Sequence, residues 1–352
     1  MSTDPKADAT TESATEAQLR AGVIGVGSMG ENHARVYAGL PRVELAGVTD
    51  HDESVADRVA GEYGTESLDL ETLLDRCDVV TVAVPTHAHY ETVSTCLDAG
   101  VHVLVEKPIA ETVEQGRRLA DQAREAGLVL QVGHIERFNP AVQTIEELID
   151  DLDVISIEAE RLGPPIDRMA PGNVVHDLMV HDVDVVGSIL DDRPHSVAAM
   201  GTDDGQYATA TVEYDDAVAT LTASRVTQKK VRRLAVTARE CFVEVDYLDQ
   251  SVLIHRDSYP EYLSDDGQPR YRHESVVERP HVDTGEPLRY ELESFVEAAR
   301  TASEPEVTAE DGIAALETVQ LIDRLASGPT DETPDDERSP ERDREREQEV
   351  EA

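Results

Sequence analysis

Lys107 stands where a side chain could assist proton transfer. It follows an apolar run that ends in Glu106, and it is one of only four lysines in 352 residues. A lysine at the end of a buried strand can hydrogen-bond a substrate hydroxyl, and burial lowers its pKa toward a useful value. The alternative is an ordinary surface lysine, which a chain that nearly avoids lysine makes less attractive.

Asp177, His181 and Asp184 form a second concentration of polar residues. On a helix these positions share one face. A carboxylate beside an imidazole fixes its tautomer and raises its basicity, so we interpret His181 as a general base oriented by Asp177. The first alternative is a solvated helix face.

The second alternative is a metal site, since His and Asp at this spacing can ligate zinc. His87 and His89 would be the further ligands. We expect no metal, because the chemistry assigned to Lys107 needs none.

An apolar strand at 21–24 leads directly into a glycine-rich loop, Gly25-x-Gly27-x-x-Gly30, before a helix. Gly25 permits a sharp turn, Gly27 lets the backbone approach a pyrophosphate, and Gly30 allows close packing of helix and strand. The helix N-terminus offers free N–H groups to the phosphates. We therefore assign these residues to cofactor binding: Gly25, Gly27, Ser28, Met29 and Gly30.

Asp50 directly follows a second predicted strand, at 43–49, and lies about 20 residues beyond the last glycine. An acid at this place binds the ribose hydroxyls of NAD. A carboxylate there repels a 2′-phosphate, and no arginine follows it directly. We expect NAD rather than NADP. The alternative for Asp50 is a turn residue at a strand end.

The loop after the third strand, Pro85-Thr86-His87-Ala88-His89, should lie along the nicotinamide half of the cofactor. Thr86 or His89 could contact ribose or substrate, or the histidines could cap the next helix. We count the following residues as cofactor-binding: Pro85, Thr86, His89 and Glu106.

Four polar residues are candidates for binding an anionic or sugar substrate: Arg137, Asn139, Arg161 and Arg168. Arg137 could clamp a phosphate with two hydrogen bonds, and Asn139 could bind a sugar hydroxyl. The alternative for Arg137 is a salt bridge between domains. Lys107 and His181 complete the expected substrate-binding set.

The elements that position these residues change character near residue 133. Up to that point strands alternate with helices, which predicts a parallel, doubly wound sheet. The predicted strands lie at 21–24, 43–49, 78–84, 101–105 and 129–132, and the predicted helices at 31–39, 54–61, 70–76, 90–99 and 113–126.

Beyond 133 the pattern predicts a helix, a strand and a long helix, then a run of strands joined by short turns. Such a run is typical of a mostly antiparallel sheet. The predicted strands are 154–161, 195–201, 207–214, 217–225, 231–238, 242–247 and 251–256, and the predicted helices are 140–148, 174–190, 290–300 and 309–326. The fold class is α/β.

We divide the chain into an acidic disordered arm (1–17), a dinucleotide-binding domain (18–133), a substrate-binding and oligomerisation domain (134–329) and a charged disordered tail (330–352). The two terminal segments lack apolar periodicity.

The composition limits the partners. The formal net charge is −43, which disfavours binding to nucleic acid or anionic membranes. A highly acidic, lysine-poor surface also resembles that of proteins in concentrated salt, where charge repulsion is screened. The three cysteines are far apart, as expected of buried thiols in a reducing compartment. We expect a cytoplasmic protein without a membrane span.

The motifs Gly25-x-Gly27-x-x-Gly30-x-x-His33, Val84-Pro85-Thr86-x-x-His89, Glu106-Lys107-Pro108 and Asp177-x-x-x-His181 resemble those of the Gfo/Idh/MocA oxidoreductases in order and spacing. The resemblance covers roughly residues 20–328. It implies a Rossmann domain, an open-faced α/β domain whose sheet commonly forms a dimer or tetramer interface, a nicotinamide cofactor and a sugar or cyclitol substrate. It also implies that Lys107, Asp177 and His181 are the catalytic set.

Within that family, the segment 133–142 and the residues around Arg161 and 177–184 are most similar to the branch that oxidises the 3-hydroxyl of UDP-N-acetylglucosamine. We therefore expect an NAD-dependent dehydrogenase of a nucleotide sugar. The alternatives are a dehydrogenase of an unactivated sugar, inositol or sugar acid, and a non-catalytic NAD-binding regulatory protein.

Overall fold

The computed structural model describes residues 18–165, 172–202, 204–257, 261–265, 268–272 and 275–327. The predictions for the two terminal arms and for Arg168 concern residues outside these ranges. In the described part of the chain, no helix is both long enough and apolar enough to cross a membrane.

The first half of the chain forms a parallel sheet, as predicted. Its strand order is β2-β1-β3-β4-β5. Its central strands are apolar along their whole length because helices cover both faces. The strands are β1 (Leu19–Ile24), β2 (Val43–Thr49), β3 (Val79–Val82), β4 (His102–Glu106) and β5 (Leu130–Gly133). The helices between them are α1 (Ser28–Gly39), α2 (Glu53–Tyr63), α3 (Leu70–Arg76), α4 (His89–Asp98) and α5 (Val113–Ala126).

The strand order reverses between β1 and β3, and ligands of such sheets bind at this point, beyond the carboxyl ends of the strands. The glycine loop follows β1, Asp50 follows β2, and Lys107 follows β4. The topology alone therefore brings the predicted cofactor residues to one edge.

The second half is built on an eight-stranded sheet with the order β15-β12-β11-β10-β6-β9-β8-β7. All of its pairings are antiparallel except that of β6 with β9, which confirms the expected mostly antiparallel sheet. Its strands are β6 (Val154–Leu162), β7 (Ser196–Gly201), β8 (Tyr207–Glu213), β9 (Val218–Ser224), β10 (Val231–Ala238), β11 (Phe242–Asp246), β12 (Ser251–Asp257) and β15 (Ser275–Glu278). A separate hairpin pairs β13 (Glu261–Asp265) with β14 (Gln268–Arg272).

Four helices complete this half: α6 (Pro140–Ile149), α7 (Val180–Leu190), α8 (Pro287–Thr301) and α9 (Ala309–Ala326). The last two pack back toward the first sheet. Leu288, Leu292 and Phe295 of α8 lie in one buried cluster with Ala21 and Val23 of β1. The division of the chain at 133 and 134 remains a prediction, and α8 already covers part of the N-terminal sheet.

Three differences separate the predicted elements from the structure. Helix α1 begins at Ser28 rather than at 31, because Gly27 is its N-cap. The hairpin β13–β14 and strand β15 were not predicted, since their polar sequences lack a clear alternation. The long helix predicted from 174 starts instead with a π-helical turn, Val175–Met179, which changes the geometry of the site.

Candidate active site

The glycine loop has the shape that a dinucleotide requires. Gly25 has a φ of +83°, and a Cβ there would lie 2.8 Å from the carbonyl oxygen of Ala83. A Cβ on Gly30 would lie 1.8 Å from the carbonyl oxygen of Gly25, whereas a Cβ on Gly27 would meet nothing within 4 Å. The loop is thus packed tightly against β3 and α1 but open at Gly27, where α1 presents its N-terminal N–H groups. These features fit a bound NAD.

Asp50 lies against this loop. Its Oδ2 accepts a hydrogen bond from the backbone N–H of Val26 at 2.8 Å, and its Oδ1 accepts one from Asp52 N–H at 3.0 Å. The carboxylate is therefore fixed at the end of β2, beside the entrance to the loop. A fixed negative charge at this place favours ribose hydroxyls over a 2′-phosphate.

His89 holds two loops of the site together. It is buried, and its ring nitrogens lie 2.8 Å from the carbonyl oxygen of Pro108 and 2.9 Å from that of Val84. Neither nitrogen is left for a cofactor or a metal, so the predicted role of His89 as a polar contact is corrected to a structural one. Pro85 and Thr86 do line the cavity, as expected.

Glu106 contacts His33 of α1, which was not among the predicted site residues. Nε2 of the fully buried His33 lies 2.8 Å from Oε1 of Glu106. Burial raises the pKa of Glu106, but the hydrogen bond with His33 and the charge of Lys107 outweigh it and lower that pKa. His33 is the last residue of the glycine motif, and this position was the available signal.

Lys107 and His181, one from each half of the chain, line a single cavity of about 400 Å³. The rest of the lining comes from the glycine loop, the loop after β3 and the end of β5: Met29, Ala83, Val84, Pro85, Thr86, His89, Glu106, Gly133 and Ile135. Nζ of Lys107 donates a hydrogen bond to the carbonyl oxygen of Asp177 at 3.2 Å. The two predicted catalytic groups therefore face one space beside the cofactor loop.

Both groups have shifted pKa values. Burial lowers the pKa of Lys107, while the negative charges of Asp177 and Glu106 oppose the shift. Burial also lowers the pKa of His181 well below its usual value, and the charge of Lys107 adds to this effect. His181 is thus a neutral imidazole at neutral pH, as a proton acceptor must be.

Asp177 does not orient His181, contrary to the prediction. Its carboxylate pairs with Arg225, which also donates to the carbonyl oxygen of Gly172 at 3.2 Å. Nδ1 of His181 is buried without a hydrogen-bond partner among the described residues. The π-helical turn that contains Asp177 was not predicted, and within it the carboxylate faces Arg225 rather than His181. Asp177 contributes its main-chain carbonyl instead.

The predicted substrate-binding residues Arg137, Asn139 and Arg161 are buried in internal networks, which corrects their assignment. Arg161 makes two hydrogen bonds to Asp182, at 2.8 and 2.9 Å, and one to Glu136 at 2.7 Å. These acids are distant in sequence or face the core, so no local signal indicated the pairing.

Arg137 and Asn139 are likewise committed to the protein interior. Arg137 pairs with Glu146 at 3.3 Å and with Asp184 at 3.8 Å, so its salt bridges lie within the second half of the chain and not between domains. Asn139 caps α6 by accepting from Ala141 N–H at 3.1 Å. Its amide group donates to the carbonyl oxygen of Tyr247 at 3.1 Å. Neither side chain is available to a substrate in this arrangement.

Comparison with known proteins agrees with this geometry. Residues 19–134 match the family described as "Oxidoreductase family, NAD-binding Rossmann fold", and residues 157–243 match the "GFO/IDH/MocA C-terminal domain". The chain belongs to the Gfo/Idh/MocA family. It is an NAD-dependent dehydrogenase that acts on CH–OH groups, as expected, and the alternative of a non-catalytic regulator is set aside.

Two curated members of the Gfo/Idh/MocA family illustrate its range. The chain is 35% identical, over 67% of its length and 77% of the relative's, to UDP-N-acetylglucosamine 3-dehydrogenase from Acidithiobacillus ferrooxidans. It is 26% identical, over 85% of its length and 94% of the relative's, to inositol 2-dehydrogenase from Rhizobium meliloti.

A solved structure of the Acidithiobacillus ferrooxidans enzyme superposes on the chain with a TM-score of 0.79 at 30% identity. The superposition covers 88% of this chain and 98% of that one. The fold of the two halves is therefore that of the family.

Proposed function

We propose that this dehydrogenase oxidises the 3-hydroxyl of UDP-N-acetylglucosamine to a ketone, with NAD as the acceptor. The observation that carries the proposal is the convergence of Lys107 and His181 on one cavity beside the glycine loop. The choice of sugar is supported by the 35% identity to an enzyme named for this reaction.

In the proposed reaction, His181 accepts the proton of the hydroxyl group because its ring is neutral and borders the cavity. The ammonium group of Lys107 hydrogen-bonds the same oxygen and stabilises the negative charge that develops on it. Bound NAD supplies the hydride acceptor. Asp177 holds the end of Lys107 through its carbonyl oxygen, and Glu106 adds a compensating charge on the other side.

Arg137 and Arg161, which would bind the diphosphate of a nucleotide sugar, pair with internal acids instead. Arg168 lies outside the described residues. This observation favours a second candidate function, oxidation of an unactivated sugar or inositol, for which the inositol 2-dehydrogenase that spans 85% of the chain is a precedent.

The deciding experiment is to incubate the protein with NAD and UDP-N-acetylglucosamine and to follow the absorbance of NADH. Myo-inositol, glucose and a sugar acid are assayed in parallel, with Lys107→Met as the inactive control. Reduction with the nucleotide sugar alone supports the leading proposal. Reduction with inositol or a free sugar, and none with the nucleotide sugar, supports the second candidate.

We also propose that the chain forms a homo-oligomer through the outer face of the eight-stranded sheet. That face exposes apolar side chains on separate strands, including Val218, Phe242 and Val277. Exposed apolar groups on a sheet without a covering layer are typical of an interface. Light scattering would show a dimer or tetramer, and Phe242→Glu would shift it toward the monomer.

A further inference from the structure

Three polar residues with buried side-chain atoms form a row that starts at the active-site cavity: His181, His134 and Asp184. Nδ1 of His181, both ring nitrogens of His134 and Oδ2 of Asp184 are buried without a hydrogen-bond partner among the described residues. Buried polar atoms nearly always have partners, so an uninterrupted group of unpartnered ones requires an explanation.

Two observations relate these groups: positive charge on His134 lowers the pKa of His181, and His134 approaches Asp184. His181 and Asp184 are three residues apart on α7 and so lie on one helix face. Nδ1 of His134 lies 3.8 Å from Oδ2 of Asp184. His134 itself stands between Gly133 and Ile135, which line the active-site cavity together with His181. This distance is too long for a hydrogen bond, and a small displacement of the His134 ring would bring the two atoms into contact.

The row ends at a second cavity, which is lined by residues farther along α7 than His181. This rear cavity has a volume of about 400 Å³, and its walls include Arg137, Asp184, Asp191, Arg193 and Asp311. Of the three residues in the row, Asp184 is the one that borders it. The row therefore connects the space that receives the substrate with a separate polar space behind it.

The protonation states suit transfer along this row. Burial raises the pKa of Asp184 to about 7, with Arg137 opposing the shift and Asp311 adding to it. Burial lowers the pKa of His134 to about 3, so its ring is neutral at rest. Asp184 can therefore take up and release a proton near neutral pH, and the two imidazoles can pass one on.

We propose that His134 and Asp184 form a proton relay that carries the proton taken up by His181 to the rear cavity. The proposal rests on the function proposed above, in which His181 is the base. His134 and Asp184 act through His181 and not on the sugar, so they are positioning and relay residues rather than catalytic ones.

The relay begins with the transfer of the substrate's hydroxyl proton to His181. The hydroxyl O–H bond breaks, an N–H bond forms on Nε2 of His181, and the hydride leaves the sugar carbon for NAD with its electron pair. His181 then loses the proton on Nδ1 to one nitrogen of His134, and His134 passes a proton from its other nitrogen to Oδ2 of Asp184. Asp184 releases that proton to water in the rear cavity. Each ring regains its starting tautomer by exchange with water, which removes the proton from the newly protonated nitrogen and returns one to the other.

The charged groups around Asp184 come from five elements. His134 and Arg137 belong to the segment after β5, Glu146 on α6 pairs with Arg137, Asp311 lies on α9, and Arg193 follows α7. Glu291 on α8 is the fifth, because the charge of Asp184 helps to raise its pKa. The ion-pair contacts of Asp184 within 4 Å in the described structure are those with Arg137 and His134. Changing Asp184 leaves the Arg137–Glu146 pair in place.

The test compares Asp184→Asn with Asp191→Asn. Asp191 lines the same rear cavity and caps α7 in the left-handed conformation, which asparagine adopts readily, so this control removes the same charge without touching the relay. We expect Asp184→Asn to lower kcat about tenfold or more and to raise the solvent deuterium isotope effect on kcat, with the KM for NAD unchanged. His134→Gln, which retains Asp184, should do the same, and Asp191→Asn should match the wild type.

A second readout does not depend on the substrate. The imidazole NMR signals of His134 should titrate with a midpoint of about 7 as Asp184 ionises, in the wild type and in Asp191→Asn but not in Asp184→Asn. If the wild type oxidises a sugar and Asp184→Asn keeps the full kcat and isotope effect, the relay is wrong while the proposed function stands. If no sugar is oxidised, the proposed function fails, and the NMR titration decides the relay: loss of the midpoint in Asp184→Asn supports it, and an unchanged titration overturns it.

Discussion

Nζ of Lys107 donates a hydrogen bond to the carbonyl oxygen of Asp177, which lies one turn before His181 on the same helical segment. A single main-chain contact thus ties the end of the lysine from the first half to the helix that carries the histidine from the second. The position of the ammonium group depends on the backbone of the π-helical turn.

Replacing Lys107 should therefore separate charge from binding. Lys107→Met removes the ammonium that stabilises the developing oxyanion, so we expect kcat to fall by about 10²–10⁴-fold with little change in the affinity for NAD. Lys107→Arg should recover only part of this, since a planar guanidinium fits a buried point-charge site poorly. Steady-state kinetics and NAD titration by calorimetry provide both numbers. A Lys107→Met enzyme with normal kcat would contradict the assignment.

Asp177 and Arg225 should behave as one unit. Because the carboxylate of Asp177 binds Arg225 and not His181, Asp177→Asn and Arg225→Met should each loosen the π-helical turn and lower kcat. The double variant should then be no worse than either single one. A double-mutant cycle on kcat measures this coupling. Strictly additive losses would mean that Asp177 acts on His181 after all.

The pH dependence of kcat/KM should reflect the neutral state of His181. Its pKa is lowered by burial and by Lys107, and oxidation needs the unprotonated ring. We expect His181 to give no acidic limb in kcat/KM at or above 6.5, with a fall only at more acidic pH, once Asp184→Asn has removed the separate titration of Asp184 at about 7. In that background Lys107→Met removes the neighbouring positive charge and should move the limb to higher pH. An acidic limb at or above 6.5 in Asp184→Asn would contradict the geometry.

The choice between NAD and NADP should depend on Asp50. Asp50→Ala removes a hydrogen-bonding anion at the ribose position, so we expect the KM for NAD to rise about tenfold, consistent with the loss of a bond to a charged group, and the preference over NADP to shrink. Asp52→Ala is the control, because Asp52 is a neighbouring carboxylate that caps α2. Kinetics with both cofactors tests this. An unchanged cofactor preference in Asp50→Ala would speak against the assignment.

Arg161 should matter for stability rather than for substrate affinity. Arg161→Met leaves Asp182 as an uncompensated buried charge, which costs about 3–5 kcal/mol of unfolding free energy. The matched control is Arg233→Met on the neighbouring strand, whose half-exposed pair with Glu160 is worth about 0–1 kcal/mol. Urea denaturation measures both. A stable Arg161→Met protein with a raised KM for the sugar would restore the original interpretation.

The arrangement of the cofactor side could be inferred from the sequence, because each of its features has a local cause. The strand before Gly25 and the helix after Gly30 are adjacent in the chain, and the parallel topology then forces Asp50 and Lys107 to the same edge. These relationships depend on elements that are adjacent in the chain, so a short stretch of sequence is enough to predict them.

The substrate side was predicted less well because its polar groups are paired over long distances. Whether Arg161 faces a ligand or the core depends on Asp182 and Glu136, and their pairing arises only when β6 packs against α7. The π-helical turn also could not be predicted, because helical periodicity around Asp177 is compatible with either an α-helical or a π-helical turn.

The return of α8 to the N-terminal sheet has a practical consequence. Leu288, Leu292 and Phe295 seal apolar surface that belongs to the cofactor-binding half, although they are encoded more than 150 residues later. A fragment that stops near residue 133 would leave that surface bare to water. Anyone who wishes to exchange cofactor specificity between relatives by grafting the first half would have to transplant this late helix with it, or repolarise the faces it leaves behind.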